Sequence, residues 1–174
     1  EIYTNGGYFP LNTYYRYSYT QQIIPASQLG EGAQNYVELA FQYFYFDAST
    51  RNVDIYLANV PNSLNLSTDW ILPDSSLGIV FTLVYSGEVT FNNMGEGNWV
   101  SIPFTQPFAY NGTGNLLVTV LDHTCSYMSD AEKFYTHEDQ YTTNMSRYAY
   151  QDWGAFDPAA PSHPGTAAST VNNM

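Results

Sequence analysis

With 174 residues, 44% of them hydrophobic and 17% aromatic, the chain holds enough apolar material for one packed domain, which argues against disorder over most of its length. Only 4 basic residues face 16 acidic ones, and the net charge of −12 sets up a field that disfavours nucleic acid and anionic membranes as partners. No apolar run reaches the roughly 18 residues of a spanning helix, and the single cysteine, Cys125, excludes an intrachain disulfide.

Along the chain, Tyr and Phe fall in short runs separated by Gly, Asn, Pro and Ser, as expected of many strands joined by turns. Residues 14–24 alternate Tyr15, Tyr17 and Tyr19 with Arg16, Ser18 and Thr20, which predicts a half-buried strand closed by Pro25 and Gly30. Residues 36–46 place Val37, Leu39, Phe41, Tyr43 and Tyr45 on one face, a long central strand. Residues 51–60, with Val53, Ile55 and Leu57 in phase, follow after a short turn, and the two are expected to pair as an antiparallel hairpin. Residues 61–77 read as a long polar loop that holds Trp70. Strand character resumes over 79–91, interrupted at Gly87, and continues over 99–104 and 116–122. Beyond His123 alternation fades except for one strand over 147–151, and 157–170, with Pro158, Pro161 and Pro164, reads as surface loop. The predicted fold is therefore all-β, an antiparallel two-sheet sandwich of jelly-roll type with long loops and an irregular carboxy-terminal region, in one domain over 1–174. Alternation assigns Val37, Leu39, Phe41, Val53, Ile55, Leu57, Val100, Ile102, Val118 and Val120 to its interior.

Several stretches carry a family resemblance: residues 10–23 (PLNTYYRYSYTQQI), 50–57 (TRNVDIYL), 97–100 (GNWV), 107–112 (PFAYNG) and 115–118 (NLLV). Together these resemble a β-sandwich module of secreted and cell-surface proteins of Bacteroidetes, similar to cleaved-adhesin and galactose-binding-like jelly rolls. The resemblance implies export to the cell surface, a non-catalytic role beside other domains, and, as in some relatives, glycan, protein or calcium binding. The start at Glu1 and the apolar turn of the sequence toward Met174 fit a segment excised from a longer protein. At His123-Thr124-Cys125 the chain departs from the Gly-containing Asp-x-Thr-Gly turn of that family.

For a glycan, an exposed ring supplies a stacking face and neighbouring polar groups meet the hydroxyls. Trp153 is the expected platform, with Arg147, Asp152 and Tyr148 as polar partners; Trp70 beside Asp69 and Asp74 is a second candidate, and Trp99, in strand register, is expected to be structural. Calcium prefers clustered loop oxygens, and the acid excess together with the resemblance points to Asp122, Asp130 and Glu132. Catalysis is not expected. His123 and Cys125 share one side of an extended segment, yet no nucleophile motif surrounds them, and a lone Cys after an apolar strand reads as a packing residue. His137-Glu138-Asp139 lacks zinc-ligand spacing, and the acids around residues 130–139 select no glycosidase geometry. The sequons at Asn65, Asn111 and Asn144 follow from composition. The expected function is an accessory binding or adhesion module for a glycan or a surface protein; the first alternative is a structural spacer or assembly subunit that packs through Tyr-rich sheet faces, and the last is a small hydrolase resting on the acidic loop and the His123 and Cys125 pair.

Overall fold

The structure is a computed structural model that describes residues 3–5, 9–94, 98–129, 134–138 and 144–174. Its strands are β1 (Tyr3–Asn5), β2 (Tyr17–Ile24), β3 (Gln34–Gln42), β4 (Ser49–Val60), β5 (Thr82–Phe91), β6 (Trp99–Tyr110), β7 (Asn115–Asp122), β8 (Tyr135–Glu138), β9 (Ser146–Gln151), β10 (Thr166–Ala168) and β11 (Thr170–Asn172). A six-stranded antiparallel sheet runs β10-β9-β2-β7-β4-β5; facing it are a β3-β6 ribbon and a three-stranded β1-β8-β11 ribbon, joined by a bridge between Tyr43 and Phe134. The expected all-β sandwich with long loops is what the chain forms. Among the described residues no helix is long and apolar enough to cross a membrane.

Inside the sandwich, Val53, Ile55 and Leu57 of β4 and Leu116, Val118 and Val120 of β7 pack against Phe41, Ile102, Phe108 and Tyr110 of the opposing ribbon. Period-2 alternation alone assigns most of these residues to the interior. Leu39 and Val100 pack against this core, but Val37 is 59% exposed. The reason is a register irregularity between Tyr36 and Glu38, so that inward positions run 36, 39, 41 rather than 37, 39, 41. β6 is longer than expected, running on past Pro103 and Pro107 to Tyr110. Among the described residues it pairs only with β3, and an edge strand tolerates residues that donate no ladder hydrogen bond.

The hairpin expected between residues 36–46 and 51–60 does not form. β3 pairs with β6, and β4 pairs with β5 and β7, so the two strands lie in opposite sheets. β2 is likewise buried on both faces instead of one. Its second face is covered by the loop 61–81, which brings Leu66, Ile71 and Ile79 onto Ile23, Ala58, Val60 and Leu117. The loop 152–165 adds Phe156, which packs with Trp70 on Tyr19, Leu121 and Ala149. The molecule therefore has a third layer, made of irregular backbone.

Candidate functional site

At the end of the sandwich where β2 begins, Tyr17 pairs with Gln151, the last residue of β9, so Arg16 and Asp152 leave the sheet side by side. The Arg16 backbone N–H donates to Asp152 Oδ1 at 3.2 Å. The segment 123–129 runs past the same end: Cys125 N–H donates to Arg16 O at 3.1 Å and Met128 N–H to Thr13 O at 2.7 Å. Asn12 anchors the approach by accepting the Tyr14 N–H at its side-chain oxygen. These contacts shape a groove of about 450 Å³ lined by Tyr14, Arg16, Tyr127 and Asp152.

A continuous row of rings stiffens the groove from behind. Tyr15 stacks on Tyr150 with centroids 4.0 Å apart, Tyr150 on Tyr148 at 5.9 Å, and Phe9 meets Tyr148 edge-on at 5.6 Å. Tyr14 joins through an edge contact with Tyr15. Burial, and after it the neighbouring Tyr150, raises the Tyr15 hydroxyl pKa above the ordinary tyrosine value. Two rings of the groove face solvent, Tyr127 at 63% exposure and Tyr14 at 51%, and Trp153, next to Asp152 in the chain, is 82% exposed. Large exposed aromatics grouped at one place are the informative departure from ordinary surfaces.

Arg16 stands out by elimination. Of the four basic residues in the sequence, Arg51 and Arg147 are buried and Lys133 lies outside the described residues, which leaves Arg16 as the exposed cation among those described. An accessible guanidinium, a carboxylate and flat rings are the groups that bind hydroxyls and the apolar faces of sugar rings.

The structure distributes the residues expected at the site. Asp152 lines the groove; Trp153 follows it in the chain, exposed, without lining the groove itself. Tyr148 is part of the ring row. Arg147 does not face outward as a polar partner would: it is 4% exposed, and its guanidinium donates to the carbonyls of Leu66, Ser67, Pro164 and Gly165. Desolvation lowers its pKa below the usual arginine value. It is a strut between the two loops of the third layer. Trp70, too, is internal, 7% exposed, with its indole N–H on His163 O at 2.7 Å and the Arg147 guanidinium 5.6 Å from its ring centre. Gly165, at φ +70°, lets the backbone pass where a Cβ would lie 2.4 Å from that ring. Trp99, expected to be structural, is 41% exposed.

Of the calcium ligands expected at Asp122, Asp130 and Glu132, only Asp122 lies among the described residues. Asp122 is buried against Arg51, whose Nε donates to Oδ2 at 2.8 Å, while Thr124 donates to Oδ1 through both its backbone N–H and its hydroxyl. To bind a cation, this carboxylate would have to give up part of a buried ion pair. Asp130 and Glu132 lie outside the described residues, as does Asp139. Cys125, expected to be a packing residue, is exposed. Its thiol meets the Tyr17 hydroxyl, a contact that raises the Tyr17 pKa, whereas His123 Nε2 lies 3.4 Å from Asp54 Oδ1. Asn65 and Asn111 use their side-chain oxygens to close turns, accepting from Ser67 and from Thr113 and Gly114.

Arg16, Tyr14 and Tyr127 escaped the sequence reading because the tyrosines are two among 17 and Arg16 sits within an alternating run. Scarcity of cations in the composition is the signal that points to Arg16. No known protein family matches this chain, and no curated protein matches it.

Proposed function

We propose that this chain is a non-catalytic binding module of a secreted or cell-surface bacterial protein, and that it holds a saccharide in the groove between Tyr14, Arg16, Tyr127 and Asp152. The observation that carries the reading is the exposed Arg16 in one groove with two solvent-facing rings, Tyr14 and Tyr127, the first of which joins the stacked row of rings. Tyr127 and Tyr14 offer stacking faces, Arg16 donates to ring and hydroxyl oxygens, and Asp152 accepts from hydroxyls. Trp153 extends the platform for a longer chain of sugars. The net charge of −12 favours neutral over acidic glycans.

A glycan array followed by calorimetry on the hits tests it. Tyr127→Ala and Arg16→Ala should each weaken binding by tenfold or more while the melting temperature stays put; hits bound equally well by both variants would remove the groove from consideration. The spacer reading rests on a different surface, where Leu77 and Val80 in the loop 61–81 are 51% and 67% exposed and Leu83 of the edge strand β5 is 37% exposed. Sedimentation of the chain with a neighbouring domain, with and without Val80→Asp, tests that surface.

A further inference from the structure

At the opposite end of β2 a cleft of about 750 Å³ is lined by Ile23 and Ile24 of β2, by Gln42 and Trp99 of the β3-β6 ribbon and by His137 of the β1-β8-β11 ribbon. Its volume is within the range of small-molecule sites. One part of its lining is apolar, from Ile23, Met145 and Val171, with Trp99 of β6 at 41% exposure beside it. No Asp, Glu, Lys or Arg among the described residues lines it.

Its polar wall is an ordered relay. Asn173 Nδ2 donates to Gln42 Oε1 at 2.7 Å, so Asn173 presents its oxygen to His137, whose Nδ1 lies 3.0 Å away. That oxygen only accepts, and the Nδ1 proton is therefore fixed on the bond to Asn173. In the neutral imidazole Nε2 then carries a lone pair, and His137 is one of the residues that line the cleft. The relay is itself held in place: Asn173 N–H donates to Tyr135 O, and the adjacent Asn172 exchanges two bonds with Gln22 and a third with Phe9 O. Strand β8, which carries His137, is paired on both sides, by β1 and β11.

We propose that this cleft is a second binding site, for a small neutral ligand in which a hydroxyl is attached to an apolar ring. The hydroxyl donates to His137 Nε2 and the ring lies against Ile23, Met145 and Trp99. An ionised ligand would have to shed its hydration with no Asp, Glu, Lys or Arg among the described lining residues to meet it. A ligand without a donor would leave Nε2 unpaired in the bound state. The eight residues of β2, at roughly 3.3 Å each, separate the cleft from the saccharide groove by roughly 25 Å. The two sites therefore fail or survive independently.

The test uses the whole chain, isotope-labelled, with phenol, methoxybenzene and benzoate as probes and the Trp99 indole and His137 imidazole resonances as readouts. Phenol should shift both saturably; methoxybenzene, which keeps the ring and loses the donor, should bind about tenfold more weakly, and benzoate should not saturate. His137→Phe should abolish the preference for phenol over methoxybenzene, and Tyr127→Ala should leave phenol binding unchanged. The long-range nitrogen–proton spectrum of the unliganded protein should place the His137 proton on Nδ1, a readout that needs no variant to fold. A proton on Nε2, equal affinity for phenol and methoxybenzene, or the absence of saturable shifts would overturn the proposal.

Discussion

The two faces of the six-stranded sheet are covered by different means. Inside the sandwich, Val53, Ile55, Leu57, Val118 and Val120 meet aromatic and aliphatic side chains from regular strands whose backbone groups are already satisfied by the ladder. Outside, the cover is loop, and loop backbone brings unpaired N–H and C=O groups with it. These are met by long side chains. Gln21 takes Ile71 N–H at 2.9 Å and donates to Ile71 O at 2.7 Å, copying a strand pair with one amide; Arg147 serves four carbonyls, and the Trp70 indole serves a fifth. A sheet face buried by irregular chain needs polar side chains in its core, because a buried peptide group left unpaired costs about as much as a lost hydrogen bond.

Arg147→Met tests this most directly. It keeps the length of the stem but strands up to four buried acceptors, so it should cost about 3–5 kcal/mol and release the loop 152–165 to protease well before global unfolding. Ile55→Ala should cost about 2–5 kcal/mol by leaving a cavity in the inner core, and should melt the sheet as one unit with no early loop cleavage. If both variants lose the same protection pattern in hydrogen exchange, the two faces are not separately held.

Titration separates the faces further. Burial raises the pKa of Tyr43, in the inner core, to about 12, and raises that of Tyr19, under the outer loops, further still. Both groups hold their protons in the folded chain after the unfolded chain has lost them, so stability is full below the unfolded value of about 10 and declines as pH rises from there toward 12. Melting temperatures measured across that window should fall more shallowly for Tyr19→Phe than for the wild type. The smallest effect is expected outside both layers. Trp153→Ala should change stability by no more than about 0.5 kcal/mol, since the ring is 82% exposed. A larger loss would mean that the ring caps the core.

Much of the inner face is legible from sequence because alternation assigns side chains to faces within each strand. It fails at Val37, where the register slips beside Tyr36, a shift that no residue type signals. The outer face is far less legible. Trp70 sits in a polar stretch with Pro and Asn around it and reads as an exposed loop residue, yet it is buried because β2, β7 and β9 present Tyr19, Leu121 and Ala149 beneath it. The candidate groove is only half legible: Asp152 and Trp153 are visible as an aromatic-polar pair, while Arg16 is brought to Asp152 across 136 positions of sequence.

What the sequence determines by itself is local: that the chain makes strands, where turns interrupt them, which side chains within a strand share a face, and that its charge disfavours anionic partners. These follow from a period of two, from Gly, Pro and Asn chemistry, and from composition. Which strand lies beside which is decided only by the tertiary structure, and with it whether an arginine is a ligand contact or a strut. β4 chooses β5 and β7 over β3, and the buried faces of β2, β7 and β9 draw two loops over them. Pairing depends on which apolar faces can be buried together once all strands are present, and that is a property of the whole chain, not of any segment of it.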